Sequence, residues 1–160
     1  MDEQAKKVSL RAINYGLFVL TAADGDELAG AGVNWLSQAS FAPPLVMTAV
    51  KSDNHTHDLI DRTQTFAVNV IGKDQLDVAM AFFRPTTVEG DTINGYRFER
   101  GPTTRAPLLV DLPYWFEARV TDTIRRGDHT VFVGEVTEAG VRDESVLPIV
   151  LRDTRMNYGG

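Results

Sequence analysis

Short apolar runs separated by turn residues constrain the fold of this 160-residue chain more than any other feature. Three runs are almost continuously apolar: 17–22 (LFVLTA), 45–50 (LVMTAV) and 66–71 (FAVNVI). The first is followed by Asp24-Gly25-Asp26, and the second follows Pro43-Pro44. Runs of this length between turn signals are typical of strands buried on both faces. We therefore predict three buried strands.

A fourth segment, 114–121, alternates between apolar and polar residues. One side carries Tyr114, Phe116, Ala118 and Val120, and the other carries Glu117, Arg119 and Thr121. This pattern predicts a half-buried antiparallel strand whose polar side faces solvent. The turn 125–128 and the apolar run 130–136 follow, so we predict a hairpin.

Two short helices are predicted among these strands. One begins after Asp74, the expected N-cap, and ends before Pro85. Its apolar stripe has helical spacing and consists of Leu76, Ala79, Met80 and Phe83. The other covers about 56–61, with Ser52, Asp53 or Asn54 as its cap. Several antiparallel strands with only two helices favour a small closed barrel, because closure leaves no exposed sheet edge.

Length and composition narrow the class of protein. The length fits a single domain over residues 1–160. The chain has no cysteine, which excludes disulfides, thiolate nucleophiles and cysteine-ligated metals. The net charge of −6 argues against nucleic acid as a partner. No apolar run approaches the roughly 18–20 residues that cross a bilayer, and no secretory signal is visible, so we expect no membrane partner and a cytoplasmic location.

Two familiar motifs are rejected. Gly30-Ala31-Gly32 leads into Trp35 and not into a third glycine and a helix, as a dinucleotide fingerprint requires. The histidines His55, His57 and His129 match no metal motif, and residues at i and i+2 of a helix point about 200° apart. We expect no metal site, and solvent-facing imidazoles are the default interpretation.

A polar cluster before the second helix is a candidate binding site. Lys51, Ser52, Asn54 and Thr56 place a cation, hydroxyls and an amide beside a helix start, where free N–H groups attract anions. A capped helix start with polar surface residues explains the same pattern. The residues alone leave both interpretations open.

In chain order, several segments resemble the flavin reductase family of FMN-binding split barrels. They are VNWLSQASFAPPLV (33–46), VKSDNHTHDLI (50–60), FAVNV (66–70), the helix with A-x-x-F, and GDHTVFVGEV (127–136). The similarity covers about residues 12–151. The ending 151–160 resembles the branch whose flavin-reductase module is also fused to flavodiiron proteins.

The resemblance implies a mainly β fold, a six-stranded antiparallel split barrel of the Greek-key type with a few short helices. It also implies a homodimer that binds FMN, with FAD as the alternative, near the interface. NADH or NADPH would supply the hydride, with His129 as the catalytic residue on the nicotinamide side. The implied cofactor-binding residues are Asn34, Trp35, Leu36, Ser37, Ser40, Lys51, Ser52, Asn54, His55, Thr56 and Phe83.

One departure from the family concerns the phosphate of the flavin. The family frequently has arginine where this chain has His55, so Lys51 or the more distant Arg84 would supply the positive charge.

Structural roles are the alternative for three of the implied site residues. Trp35 and Phe83 also fit a core role, and His129 could simply close a hairpin. The terminal segment 158–160 either covers the site or frays.

The function predicted from the resemblance is hydride transfer from NAD(P)H to flavin. The reduced flavin would serve a partner monooxygenase, another acceptor, or chemistry in place. The flavin carries the redox chemistry, so the lack of a nucleophile or a carboxylate pair is expected. The alternatives are a non-catalytic flavin-binding electron-transfer domain and an interaction module without a cofactor.

Overall fold

The computed structural model describes residues 1–159, and Gly160, part of the ending whose role the sequence leaves open, lies outside the described residues. Eleven strands and three α-helices are present in this part of the chain. In chain order they are α1 (Glu3–Arg11), β1 (Phe18–Asp24), β2 (Glu27–Val33), β3 (Leu36–Ser40), β4 (Leu45–Lys51), α2 (His55–Thr63), β5 (Thr65–Val70), α3 (Leu76–Phe82), β6 (Val88–Glu89), β7 (Thr92–Ile93), β8 (Tyr96–Arg100), β9 (Pro107–Leu109), β10 (Tyr114–Arg125) and β11 (His129–Val141), followed by a 3₁₀ turn (Leu151–Thr154).

Seven strands form one antiparallel sheet in the order β2-β1-β5-β10-β11-β4-β3. Its two edge strands are consecutive in the chain, separated only by Asn34 and Trp35. The edges of a flat seven-stranded sheet would lie roughly 29 Å apart. The link from Val33 to Leu36 spans at most about 11 Å. The sheet is therefore rolled into a barrel that is split between β2 and β3.

The mainly β, antiparallel fold predicted from the sequence is confirmed. The main sheet has seven strands, one more than the resemblance implies, and β6 to β9 form a second sheet of four short strands. The predicted buried strands 17–22 and 66–71 correspond to β1 and β5, whose central residues are buried on both faces. The hairpin of β10 and β11 is also as predicted.

The prediction for 45–50 was right about the strand and wrong about its burial. In β4 buried and accessible residues alternate, and the Met47 side chain is exposed. The strand lies between β11 and the edge strand β3, so only one of its faces meets the interior. The apolar run alone did not carry this information.

The predicted polar face of 114–121 is wrong at Glu117, which is fully buried. The register of β10 against β11 shifts between Glu117 and Ala118. The Glu117 carboxylate accepts hydrogen bonds from the backbone N–H groups of Thr103 (3.1 Å) and Thr104 (2.8 Å). Buried polar groups need such partners, and here they come from a loop far away in the sequence.

Of the two helices predicted from the sequence, α2 has one of the expected caps and α3 does not. Asn54 caps α2, and its side-chain oxygen accepts from the N–H of Thr56 at 2.8 Å. For α3 the Asp74 cap was wrong, because the cap position is Gln75, without a capping side-chain bond. The Gln75 side chain instead binds the N–H of Gly72 (2.9 Å) and the carbonyl of Asp111 (2.8 Å).

The buried face of α3 is also rotated from the predicted stripe. Val78, Ala79 and Phe82 are buried, while Met80 and Phe83 are about half exposed. Phe82 packs into the apolar cluster between the main sheet and the second sheet, and Phe83 is left beside the split of the barrel. Within residues 1–159, no helix has both the length and the apolar character to cross a bilayer.

Candidate functional site

A cavity of about 760 Å³, here called the cleft, opens at the split of the barrel. This volume is typical of sites for small molecules and cofactors. Its walls come from distant parts of the chain: residues 30–35, 49–51, 53–55 and 82–86, together with Leu17, His129, Leu151 and 156–158. The cleft therefore exists only because the sheet is rolled.

Three rings form the aromatic end of the cleft: Trp35, His129 and Tyr158. The ring centroids of Trp35 and His129 are 4.6 Å apart, and those of Trp35 and Tyr158 are 5.3 Å apart in an edge-on arrangement. His129 is the first residue of β11 and pairs with Lys51 of β4. This pairing anchors its backbone on the barrel.

Both ring nitrogens of His129 have partners. Nδ1 lies 2.8 Å from Asp128 Oδ1, and Nε2 lies 3.1 Å from the Tyr158 hydroxyl. Since a carboxylate can only accept, Nδ1–H donates to Asp128, and Nε2 pairs with the hydroxyl of Tyr158. The hydrogen bond from His129 lowers the pKa of the Asp128 carboxyl. Asp128 and Tyr158 thus orient the imidazole.

A charged part of the cleft, here called the charged end, lies at the start of α2 and borders the aromatic end, because Lys51 pairs with His129. Lys51 Nζ is 2.8 Å from Asp53 Oδ2, and this hydrogen bond raises the pKa of Lys51 and lowers that of Asp53. His55 Nε2 lies 3.4 Å from Glu27 Oε1. Arg84 lines the same cleft. A helix start and two cations attract an anion, while Asp53 partly offsets them.

A close approach between β2 and the end of α3 shapes one wall of the cleft. A Cβ atom added to Gly32 would lie 2.7 Å from the Phe83 ring. The Thr86 hydroxyl donates to the carbonyl of Gly30 (3.1 Å) and accepts from its N–H (3.0 Å). Thr86 thus ties the segment with Phe83 and Arg84 to β2. Thr86 was not predicted as a site residue, because nothing near it in the sequence indicates its contact with Gly30.

Within residues 1–159, two buried donors on residues of the cleft have no partner: Asn34 Nδ2 and Trp35 Nε1. Leaving a buried donor unsatisfied costs about 1–3 kcal/mol. Both residues line the cleft. Such donors fit a flat heteroaromatic ring that carries several acceptor atoms, as the isoalloxazine of a flavin does, and the charged end fits its phosphate.

The cleft brings together seven of the twelve site residues predicted from the sequence. They are Asn34, Trp35, Lys51, Asn54, His55, Phe83 and His129. Both candidate cations for the phosphate, Lys51 and Arg84, are among its lining residues. The roles of these residues toward a cofactor stay predictions.

Five of the predicted residues do not line the cleft within one chain: Leu36, Ser37, Ser40, Ser52 and Thr56. Ser37 is exposed on β3, where Ser40 also lies, and Leu36 packs against the barrel interior. The Ser52 hydroxyl donates to the carbonyl of Asp128 at 3.0 Å. Thr56 is buried, and its hydroxyl lacks a partner. Their cofactor roles also stay predictions.

His57 departs from the expected solvent-facing imidazole. It is 8% exposed, its Nε2 lies 2.8 Å from Thr130 Oγ1, and its ring is 5.4 Å from that of Phe132. The reason is its position near the start of α2, on the side that packs against the barrel. His57 supports the fold and does not line the cleft.

The terminal segment covers the cleft, which the sequence left undecided for Tyr158. Met156, Asn157 and Tyr158 line it, and the carbonyl of Gly159 accepts from Arg11 Nε at 3.1 Å. The only sequence signal was an aromatic residue near the end of the chain. Its contact with His129 depends on the tertiary structure.

A family model and individual related proteins place this chain in the same family. Residues 10–160 match the family model described as flavin reductase like domain. A high molecular weight rubredoxin of Moorella thermoacetica is 32% identical over 146 residues, covering 88% of this chain and 60% of that protein. The NADH-dependent flavin reductase StyB of Pseudomonas fluorescens is 32% identical over 126 residues, covering 78% of this chain and 71% of that protein.

The solved structures agree in fold. The NADH:FAD oxidoreductase SgcE6 of Streptomyces globisporus superposes with a TM-score of 0.79 at 27% identity, over 92% of this chain and 81% of that one. A second structure of SgcE6 is a complex with NAD and FAD fragments. The chain spans 60%, 43% and 58% of the length of three curated relatives that it matches, and 27% of a diflavin flavoprotein of Synechocystis.

Proposed function

The chain belongs to the flavin reductase like domain family, and from this premise we propose that it transfers a hydride from NADH or NADPH to FMN. The observation that carries the proposal is that two residues lining the cleft beside His129, Asn34 and Trp35, have buried donors, Nδ2 and Nε1, without a partner within residues 1–159. A protein without a ligand for this cleft would gain stability by losing them. Their presence supports a bound ring with acceptor atoms.

The isoalloxazine would supply the redox chemistry, accepting a hydride at N5 from the nicotinamide C4. The protein contributes binding, orientation and exclusion of water. Asn34 and Trp35 would donate hydrogen bonds to the flavin, Phe83 would form an apolar wall, and Tyr158 would cover the aromatic end of the cleft. His129, held by Asp128, positions the nicotinamide, so the effect of the site is mainly proximity.

The charged end supports FMN as the flavin. Lys51 and the start of α2 form a positively charged part of the cleft beside the aromatic end, and a terminal phosphate would pair with them. Asn54 accepts the N–H of Thr56 and so orders the helix start. FAD is the competing flavin, because the relative SgcE6 is named an NADH:FAD oxidoreductase.

The proposal extends to partners. Relatives include a reductase component of a nitrophenol monooxygenase and the flavin reductase of styrene monooxygenase. We accordingly propose that the protein passes reduced flavin to a separate oxygenase or to another acceptor in the cytoplasm.

We also propose a homodimer. It would explain why Ser37 and Ser40 lie on exposed β3, outside the cleft of their own chain, beside the exposed Phe41 and Met47. Sedimentation equilibrium at several concentrations measures the oligomeric state, and a monomer throughout contradicts it.

The test of activity is anaerobic flavin reduction followed at about 450 nm. NADH and NADPH are each combined with FMN, FAD and riboflavin, with and without protein. We expect protein-dependent reduction of FMN by at least one nicotinamide. A protein that accelerates reduction of none of the three flavins by either nicotinamide overturns the proposal, and a preference for FAD corrects its flavin.

A further inference from the structure

A second cavity, about 470 Å³, lies between the segment after α1 and the terminal segment. Three arginines line it, Arg11 from the end of α1 and Arg152 and Arg155 from the 3₁₀ turn and its cap. We call it the arginine groove. It shares Leu151, Met156, Asn157 and Tyr158 with the cleft, so the two cavities have a common wall.

The charge of the arginine groove contrasts with the rest of the molecule. The chain carries a net charge of −6, yet three guanidinium groups from two ends of the sequence converge on this groove. Within residues 1–159, none of the three forms an ion pair with a carboxylate. The contact between Arg11 Nε and the carbonyl of Gly159 holds that side chain beside the tail.

Guanidinium groups bind phosphate through two parallel hydrogen bonds, and an anion approaching an acidic protein gains most where positive charge is concentrated. A ligand with its ring at the aromatic end of the cleft would have to extend across Tyr158 to reach this charge. Adenine dinucleotides, such as NADH and FAD, carry a diphosphate away from their redox-active ring. FMN and riboflavin have no such group.

We propose that the arginine groove binds the diphosphate of an adenine dinucleotide whose redox-active ring lies in the cleft. This inference rests on the proposed function for the identity of the ring. It assigns Arg11, Arg152 and Arg155 to recognition of the dinucleotide. The shared chemistry is the adenosine diphosphate group, and the hydride donor and FAD are its two sources.

The test uses the double variant Arg11→Gln/Arg152→Gln, both positions being exposed. The matched control, Lys7→Gln/Arg97→Gln, removes two charges from exposed positions that line neither cavity. ADP-ribose binding to the flavin-free protein is measured by calorimetry at two salt concentrations. We expect about 5- to 20-fold weaker binding in the double variant, with a weaker salt dependence, and wild-type binding in the control.

Steady-state kinetics separate the two sources. A higher KM for NADH with an unchanged KM for FMN assigns the groove to the hydride donor. A higher KM for FAD but not for FMN assigns it to the flavin. ADP-ribose binding that is equal in wild type and double variant, or equally weakened in the control, overturns the proposal. The wild type would still reduce flavin in that case, so failure of the arginine-groove proposal can be told apart from failure of the proposed reductase activity.

Discussion

The buried interior and the cleft differ in whether their asparagine side chains have hydrogen-bond partners. In the interior, the Asn69 amide donates to the carbonyls of Val19 (3.3 Å) and Pro107 (3.2 Å) and accepts from the N–H of Leu109 (2.7 Å). In the cleft, Asn34 Nδ2 has no partner although the residue is 7% exposed. The fold thus satisfies the Asn69 amide completely, whereas within residues 1–159 it leaves the amide nitrogen of Asn34, beside the cleft, without a partner.

Two further pairs repeat this contrast. Gly30 and Gly32 lie on the same strand, but the first faces the buried ring of Phe82 and the second the half-exposed ring of Phe83. His57 binds Thr130 inside the barrel, whereas His129 lies at the cleft. One histidine is therefore held inside the barrel and the other lies at the cleft, while the two glycines, both in the cleft wall, differ in how freely the facing ring can move.

The asparagine pair offers the largest expected effect. Asn69→Ala removes three hydrogen bonds and leaves the buried N–H of Leu109 without this partner, so we expect the free energy of unfolding to fall by about 2–4 kcal/mol. Asn34→Ala should change the free energy of unfolding by less than about 1 kcal/mol and weaken FMN binding about 5- to 20-fold. Urea denaturation and fluorescence titration measure the two quantities. A loss of stability in Asn34→Ala as large as that in Asn69→Ala would show that Asn34 also holds the fold.

The histidine pair separates catalysis from folding. His129→Ala should slow reduction by the nicotinamide roughly 10- to 100-fold with FMN affinity within about threefold, because positioning is lost. His57→Ala should lower stability by about 1–3 kcal/mol and leave the reduction rate of the FMN-loaded protein within about twofold. Stopped-flow reduction and denaturation are compared. Equal losses of rate and FMN affinity in His129→Ala would make His129 structural.

The glycine pair tests the wall of the cleft. A methyl group at Gly30 would lie 2.7 Å from Phe82, which is buried and cannot move freely. Gly30→Ala should therefore reduce stability by about 1–3 kcal/mol. Gly32→Ala displaces Phe83, whose exposed ring can shift, so stability should fall by less than about 1 kcal/mol and FMN affinity a few-fold. Unchanged FMN affinity in Gly32→Ala would remove Phe83 from the site.

The charged end gives the smallest effect. Lys51→Gln should weaken FMN binding about 2- to 5-fold and leave riboflavin binding unchanged, since only FMN carries a phosphate and the side chain is exposed. Lys73→Gln, an exposed lysine outside the cleft, is the control. Paired fluorescence titrations with the two flavins decide the point. Equal weakening for both would place the phosphate elsewhere.

Features set by a few adjacent residues were predictable. The apolar runs of β1 and β5 predicted buried strands, and Asn54 in front of α2 predicted a capped start. Predictions failed where a distant segment decides burial. The accessible face of β4 depends on its edge position beside β3, the buried side of α3 on the glycines of β2, and the burial of Glu117 on the loop with Thr103 and Thr104.

The candidate site shows the same limit. The motif order predicted Asn34, Trp35, Lys51 and His129, and the structure brings them to one cleft. Leu36, Ser37 and Ser40 follow Trp35 directly, but they lie on β3, beyond the split. Thr86 as a partner of Gly30 and Tyr158 as a partner of His129 could not be assigned, because each contact joins segments far apart in the sequence.

The sequence by itself determined where β1, β4, β5, β10, β11 and the capped helix α2 lie, because periodicity and turn chemistry act over a few residues. It also determined the inventory of donors, cations and aromatic rings. Only the tertiary structure decided which of them meet. Two residues between β2 and β3 force the sheet to roll, and rolling brings Trp35, His129 and Tyr158 together at the same opening.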